Sequence, residues 1–187
     1  MKTFVRNGPA LPATLMQAHE EGRLVFFCGA GISYYTGLPT FSALVAQAMS
    51  GCGLPYDPGE RHHPRDLAFK EGRLDRALHL LELEAPAMRD VVMRILEQPL
   101  KPGSESLDLH KALLTLARAE TGQIQLATTN FDDRFQRAQP GITRWQAGPR
   151  LGIARKDSWP GPTYLHGKID READPEGREL VLTSGDF

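Results

Sequence analysis

Two cysteines in 187 residues are too few for a disulfide framework. Neither Cys28 nor Cys52 belongs to a Cys-x-x-Cys pair, so a closed zinc site would need other ligands. His62 and His63 are adjacent and precede Pro64, which is the wrong spacing for two ligands on one helix face. A solvated loop is expected there, and no metal. Long apolar runs are also missing. The stretch Leu24 to Ala30 falls far short of the roughly 18 residues that cross a bilayer, and no charged-then-apolar leader precedes it. There is no excess of one charge: 22 Lys and Arg stand against 23 Asp and Glu, which gives nucleic acid or acidic lipid no basic surface to bind. Internal repeats and low-complexity tracts are absent. The expectation is a soluble, cytoplasmic protein without direct nucleic-acid or membrane contact. A hydrophobic content of 41% supports one folded domain over 1–187, with roughly two-thirds of the unfolded chain's surface buried.

The apolar pattern then sets out the elements. Leu11, Leu15 and Ala18 recur at helical spacing between Pro9 and Glu21, and Gly22 supplies a left-handed stop. Leu24 to Cys28 is a short continuous apolar run, which predicts a strand buried on both faces, as in a parallel sheet. Cys28, at its end, is expected to be a buried, inert thiol. Pro39 suits the first turn of a helix carrying Phe41, Leu44, Val45, Ala48 and Met49, up to Gly51. Gly51 to Pro64 reads as loop. Arg65 to Glu97 reads as two or three helices broken near Gly72 and Pro86, with Leu74, Leu78, Leu81, Val92 and Leu96 as core candidates. This makes a helical insertion over about 52–105, closed by the turn-rich Lys101 to Glu105. A helix through Leu109, Leu113, Leu114 and Leu116 follows, and then a strand over Ile124–Thr128 and a short helix over Asp132–Gln139. Pro140 to Pro162 is irregular, anchored by Trp145 and Trp159. Brief strands are expected at Tyr164–Leu165 and Leu180–Thr183. Such alternation predicts an α/β fold, a Rossmann-like doubly wound parallel sheet with ligands at the carboxyl ends of its strands.

Three segments carry candidate chemistry. Cys28-Gly29-Ala30-Gly31-Ile32-Ser33-Tyr34-Tyr35-Thr36-Gly37-Leu38-Pro39-Thr40-Phe41 places two glycines directly after a buried strand, where a sharp turn brings free N–H groups toward a pyrophosphate. The third position of the ordinary dinucleotide fingerprint is Tyr34, so a standard dehydrogenase is not what the spacing supports. Thr128-Thr129-Asn130-Phe131-Asp132 ends the next strand. There Asn130 could both donate to and accept from ribose hydroxyls or water, and either Asn130 or Asp132 could equally cap the following helix. Tyr164-Leu165-His166-Gly167 ends a third strand with an imidazole that has room to face a pocket.

Taken together, the three segments resemble the SIR2-like (sirtuin-related) domain. The first is similar to the sirtuin phosphate loop, in which Gly-Ala-Gly-Ile-Ser is followed by a small residue, Gly, Ile or Leu, Pro and an aromatic. The second is similar to Thr-Gln-Asn-Ile-Asp, with Thr129 for Gln and Phe131 for Ile. The third matches the family's His-Gly pair, in the family's order. Leu182-Thr183-Ser184-Gly185-Asp186-Phe187 is similar to the Leu-Thr-x-x-Asp-aromatic segment of the bacterial branch. The zinc ribbon of the protein-deacylating enzymes is missing, and Thr40-Phe41-Ser42 stands where they have Asp-Phe-Arg. What remains looks like the bacterial SIR2-like NADase domains of antiphage defence systems, which also occur beside short Argonaute or other sensor proteins.

The resemblance implies an NAD hydrolase that releases nicotinamide and ADP-ribose and serves as a defence effector through NAD depletion. NAD is the substrate and no metal is required. The alternatives are an NAD-dependent protein deacylase and a non-catalytic module that binds NAD or ADP-ribose. Asn130 and His166 are the implied catalytic residues. Gly29, Ala30, Gly31, Ile32, Ser33, Gly37, Leu38, Pro39, Phe41, Thr129 and Asp132 are the implied cofactor contacts. A sensor or Argonaute-like partner, a downstream domain or a second copy of the chain are the implied partners. SIR2-like domains also normally continue past the Asp-aromatic segment, so a cofactor site completed by further chain is expected.

Overall fold

The computed structural model describes residues 6–59, 63–100, 107–147, 159 and 161–186. Elements alternate along the chain as the apolar pattern anticipates, but the strands are shorter. Helix α1 (Ala13–Glu20) is followed by strand β1 (Phe26–Cys28), a 3₁₀ segment (Ala30–Thr36) and helix α2 (Phe41–Gly51). Three helices come next, α3 (Pro64–Lys70), α4 (Leu74–Glu84) and α5 (Met88–Leu96). Helix α6 (Asp108–Leu116) leads to β2 (Leu126–Thr128), α7 (Arg134–Ala138), β3 (Gln146–Ala147) and β4 (Thr163–Tyr164). The sheet has order β1-β2-β4-β3 and every pairing is parallel. The molecule is therefore mixed α/β, and among the described residues no helix is long and apolar enough to cross a membrane.

The helices form where the sequence supplies both a stripe and a stop. On α5, Met88, Val91, Val92, Ile95 and Leu96 follow the spacing of one helix face, and all are buried. Leu78 and Leu81 of α4 and Val45, Ala48 and Met49 of α2 are fully enclosed in the same cluster. Each large side chain buried there contributes about 1.5–3 kcal/mol of transfer free energy. Gly72 falls between α3 and α4, and Pro86 between α4 and α5, where the expected breaks lie. Pro39 sits outside α2 rather than in its first turn: Thr40 caps that helix through its hydroxyl, which accepts from the Ala43 N–H. A second cluster gathers Cys28, Leu126 and Tyr164 of the sheet with Leu114 and Phe135 of α6 and α7.

Several sequence expectations need correction. The strand expected over Leu24–Cys28 keeps only three residues and is not buried on both faces, since Phe27 is 66% exposed and Val25 46%. β1 ends the strand order, so no strand among the described residues pairs with its outer edge. α1 buries none of its residues, and Leu15 is exposed. On α6 the inward face carries His110 and Leu114, while Leu109 and Leu116 point to solvent. Leu180–Thr183 is not a strand. Leu180 and Leu182 are instead buried against the helical cluster, and the N–H groups of Leu182 and Thr183 donate to the Asp186 carboxylate. The sheet gains β3 from a region expected to be irregular. Within that region Trp145 packs against the second cluster, while 148–158, His62, Lys101–Glu105 and Phe187 lie outside the described residues.

The run from Gly177 to Asp186 is held to the helices by Arg89. Its guanidinium donates to the carbonyls of Gly177 (3.0 Å) and Leu180 (2.9 Å) and to Asp186 Oδ1 (2.6 Å), and it is also paired with Glu82. Burial alone would raise the Asp186 pKa, but the backbone donors at Thr183 and Leu182 and the Arg89 charge outweigh it and hold the carboxyl below its ordinary value. A depressed carboxyl stabilises the fold above its unfolded pKa, and that contribution is lost as pH falls through the folded value. Asp186→Asn is therefore expected to lower the melting temperature at pH 7. The difference from the native chain should begin to narrow as the pH drops below about 4, the usual carboxyl range, and close only below the depressed folded value. Paired thermal melts across that range check it, and a constant gap at all pH values would refute it.

Candidate functional site

Parallel pairing puts the carboxyl ends of β1, β2 and β4 on one edge, and the register aligns Cys28 with Thr128 and Thr128 with Tyr164. The three motif segments leave the sheet side by side. Backbone hydrogen bonds extend the alignment one residue further, from Thr129 N–H to the Cys28 carbonyl (3.2 Å) and from Leu165 N–H to the Thr128 carbonyl (2.9 Å). After Gly29 the chain does not remain an open glycine loop. It winds into the 3₁₀ segment, which ends at Gly37 in the left-handed region with φ 92°. Thr36 fastens its last turn by donating to the Ser33 carbonyl at 2.6 Å.

A cavity of about 380 Å³ opens where these strand ends meet the helical cluster. Ala30, Ser33, Leu38, Pro39, Phe41, Thr129, Asn130, Asp132 and His166, all expected site residues, line it together with Phe131. The helices add Leu44, Asp75 and Leu96, and the run held by Arg89 adds Val181 and Leu182. Gly29, Gly31, Ile32 and Gly37 do not line it. Gly29 borders the Thr129 hydroxyl, Gly31 faces open space, and Ile32 packs against the sheet-side cluster.

At the floor of the cavity is a closed set of hydrogen bonds centred on Ser33, which is 2% exposed. Its hydroxyl donates to Asp132 Oδ2 at 2.8 Å and accepts from Asn130 Nδ2 at 3.0 Å. His110 Nε2 lies 3.3 Å from the same oxygen. A hydroxyl has one proton, here committed to the carboxylate, so His110 must donate from Nε2. Asp132 Oδ1 accepts the Arg134 N–H at 3.0 Å, so this side chain both caps the turn into α7 and anchors Ser33. Burial raises the Asp132 pKa, and the two donors only partly offset that. Asn130 is 5% exposed, and its backbone N–H is held by the Thr128 hydroxyl at 3.0 Å. Its Oδ1 is buried without a hydrogen-bond partner. An acceptor buried without a partner costs about 1–3 kcal/mol.

His166 is half-buried, with its ring 6.1 Å from that of Phe131. Its carbonyl accepts from the Val181 N–H at 2.8 Å. Gly167 follows with φ 87°, and a Cβ there would lie 2.6 Å from the Glu179 carbonyl oxygen. Gly167→Ala is therefore expected to destabilise the protein by about 1–3 kcal/mol through strain and contact. Denaturant titration measures it, and an unchanged midpoint would show that the 177–186 run yields freely.

His110 escaped the sequence reading because a lone histidine among leucines resembles an ordinary surface residue. The available signal was its place one turn before Leu114, on the apolar face. Cys28 fits its expected role: burial pushes the thiol up to about 11, leaving almost no thiolate at neutral pH. His63 is the residue that precedes α3, at its N-cap, and its Nε2 lies 3.7 Å from Glu84. Among the described residues no group of three or more His, Cys, Asp or Glu side chains is placed to hold a metal ion.

No protein-family profile matches the chain. An uncharacterised protein of Sinorhizobium fredii, y4cA, is similar to it, with 31% identity over 191 residues covering 96% of this chain. The chain spans about 15% of the length of that relative.

Proposed function

We propose that the chain is a SIR2-like domain of Rossmann-like architecture that binds NAD in this cavity and hydrolyses the nicotinamide-ribose bond. The observation that carries the reading is Asn130, a nearly buried amide on the cavity wall with an unused acceptor, a short distance in sequence from the strand end that a dinucleotide would face. A ribose hydroxyl or a water is the donor that satisfies it. Support also comes from the nine expected site residues that share one cavity.

The bond to nicotinamide breaks with its electron pair leaving to the ring nitrogen, so the leaving group departs neutral and needs no proton. The barrier lies in the cationic ribose that forms. Water then adds to the same carbon and loses a proton, for which His166 is the base on the cavity wall. The Ser33, Asp132 and His110 set holds the Asn130 amide in one orientation, so the water and the ribose meet a preorganised acceptor. The apolar wall of Leu38, Phe41, Phe131 and Leu182 suits a flat ring and excludes bulk water.

Incubation of the purified chain with NAD, followed by chromatography of the products, tests this. Nicotinamide and free ADP-ribose released without any peptide are expected. Turnover only with an acetylated peptide would move the reading to a deacylase, and binding without turnover to a sensor module. Depletion of NAD as a defence effector, with an Argonaute-like or other sensor as trigger, is the biological role we propose for this activity.

A further inference from the structure

We infer that Asp75, supplied by the helical insertion, selects the oxidised, cationic nicotinamide ring over the reduced, neutral one. This rests on the dinucleotide reading above and deepens it. The cavity wall combines apolar side chains from three sources: the loop after the 3₁₀ segment, the helices, and the run at Val181 and Leu182. Two carboxylates line it. Asp132 is 3% exposed and committed to the Ser33 hydroxyl and the Arg134 N–H. Asp75 is exposed and stands in the first turn of α4, and among the described residues its side chain makes no hydrogen bond or ion pair. Its backbone is fixed, since its carbonyl accepts from the Ser184 N–H at 3.3 Å. The helix therefore presents an uncommitted negative charge to a largely apolar cavity.

An apolar cavity with one free carboxylate favours a flat organic cation. The nicotinamide ring carries a positive charge in NAD and none in NADH, while the phosphates and adenosine are the same in both. When the glycosidic bond breaks, the electron pair neutralises the ring. The attraction to Asp75 then ends, so the carboxylate holds the substrate but not the nicotinamide product. The charge is exposed and screened by salt.

Calorimetric titration of the full chain with NAD and, separately, with NADH tests this, in the His166→Ala background so that NAD is not consumed, with Asp75 native or replaced in Asp75→Asn. The chain that keeps Asp75 is expected to prefer NAD. The substitution should weaken NAD binding by about 3- to 5-fold, the upper part of what an exposed ion pair contributes, and leave NADH binding within about twofold. NADH serves as the internal control for folding, because its retained affinity requires an intact cavity. The NAD effect should shrink from low to high salt. Equal losses for both dinucleotides, or no loss for either, would overturn the role of Asp75 while leaving the dinucleotide reading in place. Failure of the chain that keeps Asp75 to bind either one would overturn both.

Discussion

His166→Ala is expected to slow NAD hydrolysis by about 10²- to 10⁴-fold, the usual contribution of a positioned general base, with little change in melting temperature. The side chain is half-buried, and the hydrogen bond that the Val181 N–H gives to this residue is accepted by its backbone carbonyl. Removing the imidazole therefore leaves that bond in place. Asn130→Ala should cost activity by a comparable factor through a different route. Its amide donates to Ser33 at 3.0 Å, and truncation would free Ser33 to turn with Asp132 and would remove the unused acceptor. The two variants are separable by binding. His166→Ala should bind NAD nearly as well as the native chain, because a base acts after binding, whereas Asn130→Ala should bind it more weakly. Wild-type turnover by His166→Ala would remove this residue from the reaction.

The sequence was most legible where burial is one-sided and repeated. The stripe on α5 and the breaks at Gly72 and Pro86 could be read directly, since a helix of three turns samples its environment several times. Strands of two or three residues give no such repetition. β3 consists of Gln146 and Ala147, neither of which alternates with anything, and only its pairing with β4 makes it a strand. Leu180 to Thr183 failed in the opposite sense. Its leucines are apolar because they pack on helices, and its N–H groups are taken by the Asp186 carboxylate and by the carbonyls of Gly177 and His166. The site was legible as three strand ends, because glycine and polar residues directly after apolar runs mark where a parallel sheet opens. Its far wall was not. Asp75, Leu96 and Val181 reach the cavity only through tertiary packing, and their local sequence carries no trace of it.

Arg134→Met should produce the largest loss of stability. The side chain is fully enclosed and joins three stretches of chain distant in sequence. Nε donates to the Thr36 hydroxyl at 3.3 Å, one terminal nitrogen donates to the Gln98 carbonyl at 2.6 Å, and the other is 3.4 Å from Asp133. Replacing a buried ion pair by an apolar residue can be neutral when both charges go. Here the partners remain. Thr36 is itself 0% exposed and would keep a polar atom that has lost a donor. Each such loss costs about 1–3 kcal/mol. A total near 3 kcal/mol would lower the melting temperature of a chain this size by about 6–12 °C. The same bonds tie the 3₁₀ segment that carries Ser33 to the turn that carries Asp132, so the damage should extend to the cavity. At a temperature where the variant is still folded, its apparent affinity for NAD should fall along with its stability. A variant that melts 6–12 °C lower yet binds NAD as tightly as the native chain would show that Arg134 braces the fold without positioning the site.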